Sequence, residues 1–91
     1  MFLKVISLDF FAEKSVVFYP NPVSNGQLSL SVNFDTSSSY KVSIFDMTGR
    51  AVKELIDHQP DLKISLDASP GLYFVKFESH DYQSISKVVV K

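Results

Sequence analysis

The hydrophobic and polar positions alternate along most of the chain with a period of two residues. The clearest example lies between residues 27 and 34, where polar side chains separate an apolar series: Leu28, Leu30, Val32 and Phe34. Because successive side chains of a β-strand point to opposite faces, this pattern predicts a strand with one buried and one solvated face.

Similar patterns predict strands over residues 16–19, 40–46, 51–56, 62–66, 71–77 and 82–91. Residues 1–12 also contain alternating apolar positions, but their register stays open. Turn residues separate these segments at intervals of about ten residues, and no segment has apolar positions at helical spacing for more than two turns. The pattern therefore predicts an all-β antiparallel sandwich of seven or eight short strands.

Three turns stand out by their residue types. Two prolines flank Asn21, which predicts a corner between the sheets, with the Asn21 side chain bonding its own backbone. Gly49 and Gly71 supply the freedom that tight turns before strands require. The immediate role expected for these residues is structural.

Composition narrows the classes of function. The 91 residues suffice for one domain, and a net charge of −1 provides no basic excess for binding nucleic acid. There is no cysteine, so disulfides and thiolate chemistry are excluded. His58 and His80 are isolated in loops, and no catalytic motif occurs, so we expect no enzyme, no metal and no cofactor.

Five motifs, in order, carry a resemblance to a known family. They are Phe18-Tyr19-Pro20-Asn21-Pro22, the turn Asn25-Gly26, the segment from Val42 to Asp46-Met47-Thr48-Gly49-Arg50, the strand entry Pro70-Gly71-Leu72-Tyr73, and Lys87-Val88-Val89-Val90-Lys91. Together they resemble the C-terminal sorting domain of the type IX (Por) secretion system of Bacteroidetes.

This resemblance implies an immunoglobulin-like sandwich over residues 16–91, acting as a label on a secreted protein. The label directs an N-terminal cargo domain from the periplasm across the outer membrane to the cell surface. The implied partners are the outer-membrane secretion machinery and a sortase-like peptidase that removes the domain. Residues 1–15 are then expected to be a linker or the tail of the cargo region, with a possible extra strand.

The resemblance also implies that the secretion signal lies mainly in the last strand. Here that means Lys87, Val88, Val89, Val90 and Lys91, with Gly71 and Tyr73 in support. Alternation places both lysines on the outside if the two even-numbered valines face the core. A receptor then recognises the lysines by charge or adds a strand to the exposed edge, whereas the simpler interpretation is that lysines on an edge strand discourage edge-to-edge pairing. The exposed edge and the loosely patterned residues 1–12 also leave open a dimer formed through edge strands.

A second class of function remains open at this point. An immunoglobulin- or fibronectin-like accessory module of an extracellular enzyme or adhesin would space domains or bind carbohydrate. Carbohydrate binding requires exposed aromatic side chains in a row, for which the candidates are Phe11, Phe45, Phe74 and Tyr82.

Overall fold

Two antiparallel β-sheets form the fold in a computed structural model, which describes residues 14–91. The seven strands are β1 (Val16–Tyr19), β2 (Gln27–Val32), β3 (Tyr40–Phe45), β4 (Ala51–Asp57), β5 (Asp61–Ser65), β6 (Gly71–Ser79) and β7 (Gln83–Val90). The smaller sheet has the order β1-β2-β5, and the larger has the order β4-β3-β6-β7. The expected all-β, immunoglobulin-like sandwich is confirmed.

The core lies between the two sheets and is built from the alternate positions of the strands. Its largest fully buried side chain, Phe77, contacts the rings of Phe34, Tyr40 and Tyr82, with centroids 4.8–6.1 Å apart. The remaining buried apolar residues are Phe18, Val23, Leu28, Leu30, Val32, Val42, Ile44, Ile64, Leu66, Tyr73, Val75, Val88 and Val90. Burial of these side chains supplies the main driving force for folding.

The second strand is shorter than its alternation predicted. β2 ends at Val32, and two hydrogen bonds continue its pairing by one step on each side. The amide of Val32 donates to the carbonyl of Pro60 in register with β5, and the amide of Asn33 donates to the carbonyl of Ser15 in register with β1. Phe34 keeps its inward direction and packs on Tyr82. The possible strand at residues 1–12 falls outside the described residues.

The strand order leaves β7 at one edge of the larger sheet. Its partner within that sheet is β6, with Tyr73 opposite Val88 and Gly71 opposite Val90. Across the edge of the sandwich, β7 lies beside β1 and the segment that follows it. Over residues 14–91 there is no helix long and apolar enough to cross a membrane.

Candidate functional site

The terminal half of β7 presents a row of three outward side chains. Lys87, Val89 and Lys91 are exposed, whereas Val88 and Val90 are buried in the core. This is the orientation that alternation predicted. It brings both lysines and one valine onto the outer face of the larger sheet or its rim.

Hydrogen bonds to the segment after β1 cover the edge of this row. The side-chain Nδ2 of Asn21 donates to the carbonyl of Lys87 at 3.2 Å, and its Oδ1 accepts from the amide of Val89 at 3.0 Å. The amide of Val23 then donates to the carbonyl of Val89 at 2.7 Å, and the amide of Lys91 donates to the carbonyl of Val23 at 2.8 Å. Asn21 and Val23 thus take the place of a neighbouring strand.

This arrangement corrects two expectations. The Asn21 side chain bonds β7, 66 and 68 residues away, and not its own backbone. The edge at residues 87–91 is also not open for strand addition, since its outward backbone groups already have partners. We define residues 20–23 as the edge clip. The corner expected there does exist, because the clip carries the chain from β1 to the edge of the other sheet.

Gly71 and Tyr73 support the row from the neighbouring strand. Gly71 opens β6 with a φ of 153°, a conformation that side chains rarely adopt, although a Cβ there would meet no atom within 4 Å. Tyr73 is buried opposite Val88, and its hydroxyl donates to the carbonyl of Ser69 at 2.6 Å. The structure therefore brings both residues beside the terminal half of β7, with roles in conformation and packing.

The Gly49-Arg50 motif forms a turn around one carboxylate. Oδ1 of Asp46 accepts from the amide of Thr48 at 2.9 Å, from its hydroxyl at 2.6 Å and from the amide of Arg50 at 3.1 Å. The hydrogen bond from the Thr48 side chain is the main reason that the pKa of Asp46 lies below its usual value. Gly49 has a φ of 89°, which explains the need for glycine. Asp, Gly and Arg in this motif thus hold the hairpin between β3 and β4.

A shallow apolar groove lies on the outer face of the larger sheet, beside this turn. It has a volume of 420 Å³, and its apolar lining comes from Phe45, Met47, Phe74 and Ile85. The register places Phe74 directly opposite Lys87. The groove therefore adjoins the outward row of β7, which the sequence did not indicate.

The cations of the domain fall into two groups. Lys14, Lys41, Arg50 and Lys76 form ion pairs with Asp81, Glu54, Asp46 and Glu78, respectively. No ion pair within residues 14–91 involves Lys53, Lys63, Lys87 or Lys91. Both lysines of the outward row therefore present their charge to solvent, where a partner can reach it.

The other candidate sites receive little support from the geometry. His58 and His80 are exposed, and no three metal-binding side chains converge in the described part of the chain. Of the aromatic candidates for carbohydrate binding, Phe45, Phe74 and Tyr82 are half-buried, and Phe11 lies outside the described residues. These three rings do not form the exposed row that such a module would require.

Comparison with known proteins agrees with this fold. No curated protein matches the chain. Among solved structures, the chain is similar to PorZ of Porphyromonas gingivalis, described as an essential bacterial surface component of the type-IX secretion system. The two are 18% identical with a TM-score of 0.67, and the match covers 84% of this chain. The chain corresponds to only 11% of the length of PorZ, and the likeness concerns the fold.

The family comparison is more specific. The model of the secretion system C-terminal sorting domain matches residues 17–91, which include every motif described above and the whole outward row of β7. The family consists of sorting signals and is not itself catalytic. A sorting domain of this family implies interaction with the secretion machinery in general and secretion across the outer membrane. The chain belongs to the C-terminal sorting domains of the type IX secretion system.

Proposed function

We propose that the secretion machinery recognises this sorting domain through the outward side chains of Lys87, Val89 and Lys91. The observation that carries the proposal is the exposure of these three side chains on a backbone that is hydrogen-bonded on both sides. The three side chains reach solvent while the backbone beneath them is bonded on one side to β6 and on the other to the edge clip. A receptor meets a fixed row with two positive charges and one apolar side chain between them.

Energetic considerations favour recognition of the outward side chains by the receptor over the addition of a receptor strand to the edge of β7. A partner strand at this edge would displace Val23, which is completely buried, at a cost of about 2 kcal/mol for its exposure. It would also have to replace the hydrogen bonds of the edge clip, each worth about 0.5–1.5 kcal/mol. The side chains of the row are accessible without either cost, and carboxylates of the receptor can bind the two ammonium groups.

The wider pathway follows from the family. In this proposal, residues 1–15 connect the domain to an N-terminal cargo, which enters the periplasm and crosses the outer membrane. A sortase-like peptidase then removes the domain, and the cargo is attached at the cell surface. Gly71 and Tyr73 contribute indirectly, because they hold β6 and the buried side of β7 in position.

The test is export of a reporter fused before this chain in a bacterium with a type IX system. We expect Lys87→Ala/Lys91→Ala to reduce the exported fraction about tenfold or more, corresponding to about 1.4 kcal/mol of lost recognition. The matched control is Lys53→Ala/Lys63→Ala, which removes two other lysines without ion pairs in the described region. Equal export from both variants and the unmodified fusion, with the fusion intact, would contradict the proposal.

Loosening the edge clip separates the two modes of recognition. Asn21→Ala removes the side chain that covers the edge near Lys87 and Val89. If a receptor adds a strand, the freer edge should raise export. If the receptor instead recognises the side chains of Lys87, Val89 and Lys91, it requires them to be well ordered. We therefore expect export of this variant to fall or stay unchanged.

A further inference from the structure

We propose that the apolar groove of Phe45, Met47, Phe74 and Ile85 is a second docking surface for the secretion machinery. Its occupant is a protein segment that inserts a large apolar side chain and carries carboxylates next to it. This inference rests on the proposed function, because it extends the surface that begins with the outward row of β7. It differs in chemistry, since apolar contact dominates.

Exposure and shape indicate an interaction surface. Ile85 and Met47 are 68% and 71% exposed, although both are large and apolar, and they stand above the half-buried rings of Phe45 and Phe74. Contiguous apolar surface of this kind marks binding sites more often than chance exposure does. The volume of 420 Å³ leaves room for a large apolar side chain of a partner.

The groove is continuous with the outward row. Phe74 pairs with Lys87 across β6 and β7, and Leu72 pairs with Val89 in the same way. Because directly opposite residues of antiparallel strands share a face, the floor of the groove and the row form one surface. A partner bound at the row reaches the groove without crossing another element.

The charges around the groove favour an acidic partner. Lys76 lies at its rim with Nζ 3.6 Å from the carboxylate of Glu78, and the carboxylate of Asp46 is engaged by its own turn. Lys87 makes no ion pair within residues 14–91. Its positive charge, unlike that of Lys76, is therefore free to bind a carboxylate of the partner. A partner segment with a carboxylate beside a large apolar side chain would complement this surface, because the apolar side chain fills the groove and the carboxylate binds Lys87.

The first test measures export of the reporter fusion with Met47→Ser/Ile85→Ser. Both side chains lie mostly in solvent, so their removal leaves the core unchanged. The control is Val17→Ser/Ile56→Ser, which removes side chains that are 53% and 71% exposed outside the groove. We expect the groove variant to lose about tenfold in export and the control to remain within about twofold of the unmodified fusion.

The two proposals fail in different ways. Normal export of the groove variant, together with reduced export of Lys87→Ala/Lys91→Ala, overturns the groove and leaves the row standing. Normal export of both variants overturns both. Loss of export in the Val17→Ser/Ile56→Ser control to the same extent as in the groove variant also overturns the groove, because the effect is then not local.

The second test identifies the occupant by photocrosslinking in living cells. A photoreactive amino acid is placed at Ile85 in the fusion, and at Ile56 as the control. Support requires a crosslink from position 85 alone to an identified component of the secretion machinery, at a peptide with an apolar residue next to Asp or Glu. Crosslinks within the same chain to residues 1–13, or to a second copy of the chain, would overturn the proposal.

Discussion

Replacing Asn21 by alanine should loosen the terminal half of β7 without disturbing the core. The substitution removes the two hydrogen bonds that its side chain makes with Lys87 and Val89. Both bonds are accessible to water, so each lies toward the lower part of the usual range. We therefore expect the free energy of unfolding to fall by about 1–2 kcal/mol.

Two assays measure this effect. Urea unfolding gives the change in free energy at an unchanged dependence on urea, because the folded and unfolded surfaces are nearly the same. Amide hydrogen exchange locates it: the amide of Val89 should exchange about fivefold faster, as expected for about 1 kcal/mol of lost local protection. The amide of Val88, which points toward β6, should change less.

Two further variants sharpen the result. Asn21→Gln retains the amide group but moves it by one methylene, so it should lose most of the stabilisation as well. Ser24→Ala is the control, because Ser24 is exposed and makes no side-chain hydrogen bond within residues 14–91. If Asn21→Ala unfolded at the same urea concentration as the parent and left the exchange of Val89 unchanged, the reasoning about the edge clip would be wrong.

Other positions give independent predictions. Val23→Ala should lower the free energy of unfolding by about 2 kcal/mol in urea, because both buried γ-methyl groups are removed. Gly49→Ala should cost about 1 kcal/mol in the same assay, because alanine is strained at a φ of 89°. Burial raises the pKa of Tyr40 from 10.0 to about 12, so stability should decline as pH rises through that interval, and less steeply in Tyr40→Phe. The lowered pKa of Asp46 contributes stability above pH 3.8 that is lost on further acidification, and urea titrations of Asp46→Asn should show a shallower loss.

The strands of the fold were predictable because burial follows alternation closely. Leu28, Leu30 and Val32 are all buried, as their pattern required. The end of β2 was not predictable, since Phe34 continues the side-chain alternation beyond the last strand residue, Val32. The alternation of apolar and polar side chains indicates which face of the sheet each residue lies on. It does not indicate which carbonyl the backbone amide of that residue bonds.

The site was predictable only in part for a related reason. The outward direction of Lys87 and Lys91 follows from the strand period. The partner of Asn21 depends on which strands meet at the sandwich edge, and Val23 is a single apolar residue between turns that has no periodic signal. The groove likewise depends on strand order, because Phe45 and Ile85 approach each other only when β6 lies between β3 and β7.

The edge clip also has a consequence for the order of folding during synthesis. Its bonding partners leave the ribosome more than sixty residues after it. Contacts of such long sequence separation form late, because a large chain loop must close first. Until β7 is made, Val23 remains exposed to solvent, and the edge clip has no strand to form hydrogen bonds with. Ordering of the terminal half of β7 therefore coincides with completion of the sandwich, and a chain without residues 87–91 would lose structure at the edge clip as well as in β7.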